Sequence, residues 1–78
     1  MGVLEVVASV VRRVLEARVC VDGNRLEIEY PYGYRETVVV DGSTAVITLC
    51  SDENRCRTRT VSVDRLLEAV RKLSELGE

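Results

Sequence analysis

The chain has 78 residues, enough for one domain, and we predict a single α+β domain over residues 1–78. Fifteen valines and eight leucines supply a core, whereas histidine, phenylalanine and tryptophan are absent. Without histidine there is no Ser-His or Cys-His catalytic pair and no imidazole metal ligand. A net charge of −2 excludes a polycation that wraps nucleic acid.

Residues 3–17 have the periodicity of an amphipathic helix. Charged side chains fall on one narrow arc, whereas the apolar arc covers about 200° of the helix circumference. This apolar arc is wider than a helix needs for packing on one sheet, and its margin includes Val3, Val6 and Val10. We therefore expect the helix to contact a second helix or a second subunit as well.

Runs of alternating apolar and polar residues follow, separated by Gly-Asn, Pro-Tyr-Gly and Gly-Ser turn sequences. Two alternating runs around such a pair are typical of a β-hairpin. The pattern predicts strands at residues 18–22, 26–30, 37–41, 44–50 and about 56–61.

Ser62 is a suitable N-cap for a closing helix, and Gly77 is a suitable residue to end it. The predicted order is thus a helix, an antiparallel β-meander of four or five strands, and a helix. Both helices are expected to pack on one face of the sheet, leaving the other face in contact with water.

Cys50 and Cys56 flank a five-residue loop between two predicted strands. Across a hairpin, such residues come close enough for a disulfide. The alternatives are two free thiols or a redox or metal pair, although the spacing is not the Cys-x-x-Cys of redox sites. Cys20 is expected to be a small strand residue, and it would link two subunits if it faced outward.

Arg55, Arg57 and Arg59 form a local basic patch, with Arg57 and Arg59 on one side of the last predicted strand and Arg55 at the end of the turn before it. A β-ribbon can enter the major groove of DNA, where arginine reads guanine. The alternative is that these arginines only make cross-strand ion pairs with neighbouring carboxylates.

All three aromatic residues lie in the segment Tyr-Pro-Tyr-Gly-Tyr, as Tyr30, Tyr32 and Tyr34. Tyrosine is enriched at protein interfaces because it combines a large apolar area with a hydroxyl group. The segment therefore predicts an interface at Tyr32 and Tyr34, and the alternative is packing over the sheet edge.

Carboxylates cluster loosely in the sequence at Glu27, Glu29, Glu36 and Asp41, without signs of a pocket around them. Glutamates that alternate along a half-exposed strand are typical of a solvated face. The sequence has no phosphate-binding glycine loop and no zinc-ligand spacing. We therefore predict no enzymatic activity, no cofactor and no metal.

The opening apolar stretch carries charged residues, which a secretory signal or a membrane span would not tolerate. We expect a cytoplasmic protein that does not associate with membranes. Arginine outnumbers lysine ten to one, and the only amide residues are Asn24 and Asn54. Scarce thermolabile amides and abundant charge favour a thermophilic source.

These observations favour a small non-enzymatic protein-interaction or assembly module that forms a homodimer. The expected interface residues are Val3, Val6, Val10, Tyr32 and Tyr34. The alternative is a small nucleic-acid-binding regulator that uses Arg55, Arg57 and Arg59.

Overall fold

The chain runs from one helix through five antiparallel strands into a second helix. A computed structural model describes residues 2–77, and the strands form one sheet in their sequence order, β1 to β5. This confirms the predicted α+β architecture. The elements are α1 (Val3–Leu15), β1 (Arg18–Asp22), β2 (Arg25–Glu29), β3 (Arg35–Asp41), β4 (Thr44–Asp52), β5 (Arg55–Ser62) and α2 (Val63–Leu76).

Helix α1 ends two residues earlier than the periodicity predicts. Glu16 adopts a left-handed conformation (φ 53°), which breaks the helical path after Leu15. Ala17 is buried and leads directly into β1, so its apolar character reflects packing beside the sheet.

The hairpin turns lie where the glycines predict them. Gly23 and Gly42 have φ values of 61° and 63°, which a residue without a Cβ adopts at little cost. The β3, β4 and β5 strands extend beyond their predicted ends, because backbone pairing continues through Arg35 opposite Cys50 and through Asp52 opposite Arg55.

Both helices pack on one face of the sheet, hereafter the helix face, as predicted. α1 lies mainly against β1 and β2, and α2 lies against β4 and β5. Their apolar side chains and those of the sheet form one core, in which Leu26 and Val38 are almost fully buried. The buried members are Leu4, Val7, Ala8, Val11, Ala17, Leu26, Ile28, Val38, Ala45, Ile47, Leu66 and Val70.

The two helices also contact each other at their C-terminal ends. Arg13 donates a hydrogen bond to the Ser74 hydroxyl (2.6 Å), and Gly77 lies against Val14. The wide apolar arc of α1 thus serves two neighbours, the sheet and α2. The predicted cap of α2 is also present, since Ser62 Oγ accepts a hydrogen bond from the Arg65 amide (3.2 Å).

Within residues 2–77, neither helix is long and apolar enough to span a membrane.

Candidate interaction site

The helices leave one end of the helix face uncovered. Across β2 to β5, the pairing aligns Ile28, Glu36, Leu49 and Arg57 in one row on this face. Ile28 is buried, whereas Leu49 is 41% exposed because β4 and β5 extend past the core. An apolar side chain therefore faces water on a structured strand.

A small groove opens beside this row, between the two helices and the sheet. Its volume is about 140 Å³, similar to the roughly 150 Å³ cavity that accommodates benzene in an engineered core. It is hereafter called the distal groove. Its walls include Leu15, Ile28, Tyr30, Glu36, Ile47, Arg59 and Leu73.

Tyr30, Glu36 and Arg59 form the polar part of the groove wall. The Tyr30 hydroxyl donates a hydrogen bond to Glu36 Oε1 (2.8 Å). Burial raises the pKa of Tyr30 above its ordinary value, and the hydrogen bond and negative charge of Glu36 raise it further. The phenol therefore stays neutral and serves as a hydrogen-bond donor.

The tyrosine segment forms a tight loop next to the distal groove. The Tyr30 amide donates to the Tyr34 carbonyl (2.9 Å), and the Gly33 amide donates to the Tyr30 carbonyl (3.1 Å). Tyr34 is 45% exposed and Tyr32 is 88% exposed, so the loop presents aromatic side chains to solvent. Exposed large apolar side chains near a groove are a property of interaction sites.

The predicted valine residues lie elsewhere. Val3 and Val10 are half-buried and pack against the core, and Val6 is also half-buried. Val10 precedes Val14 by one helical turn, so both lie on the side of α1 that meets α2. The structure therefore does not bring these valines together with Tyr32 and Tyr34.

Two exposed apolar residues beside the groove, Leu15 in its wall and Leu49 opposite Glu36, were not predicted from the sequence. Leu49 fits the inward side of the β4 alternation, and Leu15 fits the apolar arc of α1, so both patterns predict burial. Both positions lie beyond the part of the sheet that the helices cover. This depends on how long the helices and strands are relative to one another, which the periodicity of the sequence does not indicate.

The three arginines lie on β5, one of the two edge strands of the sheet. Arg57 and Arg59 are exposed and aligned with Leu49 and Ile47 on the helix face. Arg55 lies 3.9 Å from Asp52 across the turn. Among the described residues, neither Arg57 nor Arg59 has a carboxylate oxygen within 4.0 Å of its guanidinium nitrogens.

Cys50 and Cys56 are directly opposite on β4 and β5, and their sulfur atoms are at bonding distance. Their Cα atoms lie 4.0 Å apart. The pair closes the protruding hairpin with a disulfide. Cys20 is a free, exposed thiol on β1.

The opposite face of the sheet, hereafter the open face, is concave and charged, with a cleft of about 630 Å³. Arg25 pairs with Glu27 (3.1 Å) and Arg35 pairs with Glu29 (3.5 Å). All four side chains are well exposed, as expected for a solvated face. Over residues 2–77, no group of three or more Cys, Asp or Glu residues is arranged to hold a metal ion.

No family model, curated protein or solved structure matches the chain. Its function is therefore inferred from the surfaces described above.

Proposed function

We propose that this chain is a non-enzymatic protein-interaction module that assembles as a homodimer and binds a protein partner at the distal groove. The observation that carries the proposal is the juxtaposition of this groove with exposed Leu49 and Tyr34. Leu49 lies opposite the groove residue Glu36, and the Tyr34 carbonyl accepts a hydrogen bond from the amide of the groove residue Tyr30. Interfaces are anchored by a few apolar or aromatic side chains that fill small desolvated pockets. The groove has the size of one such pocket.

The chemistry of the groove supports a peptide or protein ligand. Its floor is aliphatic, and its polar wall offers the Tyr30 hydroxyl, the Glu36 carboxylate and the Arg59 guanidinium. These groups fix the orientation of an inserted side chain by hydrogen bonds, while the apolar floor supplies burial. Leu49 and Tyr34 extend the contact area beyond the groove.

Partner binding is tested by capture from a host extract on the immobilised chain. Proteins that bind this site should be retained by the wild type and lost from the Leu49→Lys variant. The matched control is Leu76→Lys, which adds the same charge at an exposed leucine near the end of α2. Equal retention by both lysine variants would contradict the proposal.

Self-association is tested separately by light scattering at high micromolar concentration. The homodimer predicts a mass of two chains. A monomer under these conditions would contradict the dimeric part of the proposal and would leave partner binding open to the capture experiment.

The second candidate function is nucleic-acid binding by β5. It is favoured by Arg57 and Arg59, which share one face of an exposed outermost strand. If these residues neutralise phosphates, affinity should fall steeply with salt and should be lost when Arg55, Arg57 and Arg59 are changed to glutamine. Asp52 and Glu53 beside the patch oppose phosphate binding, which is why we rank this function second.

We further propose a cytoplasmic location in a heat-adapted organism. Intracellular disulfides are common in hyperthermophiles, so the Cys50–Cys56 pair is compatible with that compartment. A midpoint of thermal unfolding above the usual mesophilic range of about 45–65 °C would support the thermophilic source. Fractionation of host cells tests the compartment.

A further inference from the structure

Strand β1 has one side that is paired and one side that is open. It lies at the end of the strand order and pairs with β2. The Val40 amide donates a hydrogen bond to the Asn24 carbonyl (2.9 Å). Backbone groups alternate in direction along a strand, so the amides and carbonyls of even-numbered residues in and next to β2 point toward β3, and those of odd-numbered residues point toward β1. The β1 partners of those odd positions are Arg18, Cys20 and Asp22. The backbone groups of Val19 and Val21 therefore point away from the sheet.

We propose that β1 pairs in antiparallel orientation with β1 of a second copy of this chain, about a two-fold axis at Cys20. The inference rests on the homodimer of the proposed function and names its surface. The strand reads Arg-Val-Cys-Val-Asp, which is self-complementary when reversed. Arg18 then faces Asp22 of the partner subunit, and the same ion pair forms again on the other side of the axis.

The backbone pattern fits this register. Val19 faces Val21 of the partner subunit, and their outward amides and carbonyls form the hydrogen-bonded pairs of the new ladder. Val21, which is 38% exposed in one chain, becomes covered on the helix face. The two sheets join into one continuous sheet, which removes an open edge from each copy.

Cys20 then faces its own counterpart at a non-hydrogen-bonded position, where Cα atoms lie about 4.5 Å apart. This separation is within the range that a disulfide spans, about 4.4–6.8 Å. The exposed thiol of Cys20 is thus a natural reporter of the two-fold axis.

The other edge strand, β5, does not support the same arrangement. An antiparallel pairing of β5 with itself about Thr58 places Arg57 opposite Arg59 of the partner subunit. Like charges directly opposite each other destabilise a strand pair. Of the two sheet edges, β1 is therefore the one whose charges favour a second copy.

The test uses two charge variants of the full chain. Arg18→Asp leaves only acidic ends on β1, and Asp22→Arg leaves only basic ends, so each variant alone should have the mass of one chain by light scattering. An equimolar mixture places every aspartate opposite an arginine and should restore the mass of two chains. Circular dichroism of each variant checks that it is folded.

A second measurement uses the Cys20 thiol. Oxidised glutathione should cross-link the wild type through Cys20 into a covalent dimer, since the added disulfide accepts the two electrons of the paired thiols. Cys20→Ser should not cross-link, and neither should Cys20→Ser combined with Ser9→Cys, which moves the thiol to the exposed side of α1.

The outcomes separate the two proposals. A dimeric wild type whose charge variants remain dimeric alone, or fail to associate on mixing, overturns the β1 interface and leaves the homodimer intact. A monomeric wild type overturns both the β1 interface and the homodimer. Partner capture at the distal groove is unaffected by either result.

Discussion

Tyr30 donates a hydrogen bond of 2.8 Å to Glu36, which ties the tyrosine loop to strand β3. The Tyr30 amide closes the same loop by donating to the Tyr34 carbonyl. Tyr32 is therefore exposed on a loop that hydrogen bonds already hold in place. The loop backbone loses little conformational entropy when Tyr32 enters an interface.

This hydrogen bond predicts a stability change at alkaline pH. Burial and Glu36 raise the pKa of Tyr30 in the folded chain, so the protonated phenol favours the native state. Its contribution is complete below the unfolded pKa of about 10 and is lost as the pH rises toward the folded value. In urea unfolding above pH 10, the wild type should lose stability more steeply than Tyr30→Phe. Parallel pH profiles would contradict the burial of Tyr30 beside Glu36.

The disulfide between Cys50 and Cys56 predicts sensitivity to reductant. Closing this short loop should stabilise the fold by about 2 kcal/mol in the chain-entropy model. Urea unfolding with and without dithiothreitol measures the difference. Cys20→Ser should respond to reductant like the wild type, whereas a Cys50→Ser, Cys56→Ser double variant should be insensitive to it.

The contact between Gly77 and Val14 predicts that a single methyl group destabilises the chain. A Cβ at Gly77 would lie 2.6 Å from Val14 Cγ2, on a β-branched side chain with few alternative rotamers. We expect Gly77→Ala to cost about 1 kcal/mol, at the low end for overpacking because the site is near the chain end. The same change in a Val14→Ala background should cost nothing, since the φ of −85° suits alanine.

The cap of α2 predicts a loss of similar size. Ser62→Ala removes the acceptor for the Arg65 amide and should lower the free energy of unfolding by about 1 kcal/mol. Ser62→Asp keeps an acceptor at the same position and is the matched control. If both variants unfold at the same urea concentration, the hydrogen bond at Ser62 does not stabilise the helix.

The fold follows from local signals in the sequence. Glycines at positive φ mark the β1–β2 and β3–β4 turns, alternation marks the strands, and Ser62 marks the start of α2. The opposition of Cys50 and Cys56 also follows, because the hairpin register depends on the loop between them.

The candidate site was only partly predictable. Tyr32 and Tyr34 stand out because Tyr30 is the only other aromatic residue in the sequence. Leu49 does not, because its exposure depends on how far β4 extends past the helices, a property of the whole assembly of elements. The wide apolar arc of α1 can be recognised in the sequence. Whether α2 or a second subunit covers it cannot, because that depends on tertiary packing such as the contact between Val14 and Gly77.

The agreement between strand order and chain order bears on how the protein reaches its native state. Each strand pairs with its immediate neighbour in sequence, so most contacts close short segments. Proteins rich in such local contacts have low contact order and fold fast. The contact between α1 and α2 is the exception, because Arg13 and Ser74 are 61 residues apart in the chain. Closing so long a segment costs more conformational entropy than closing a hairpin.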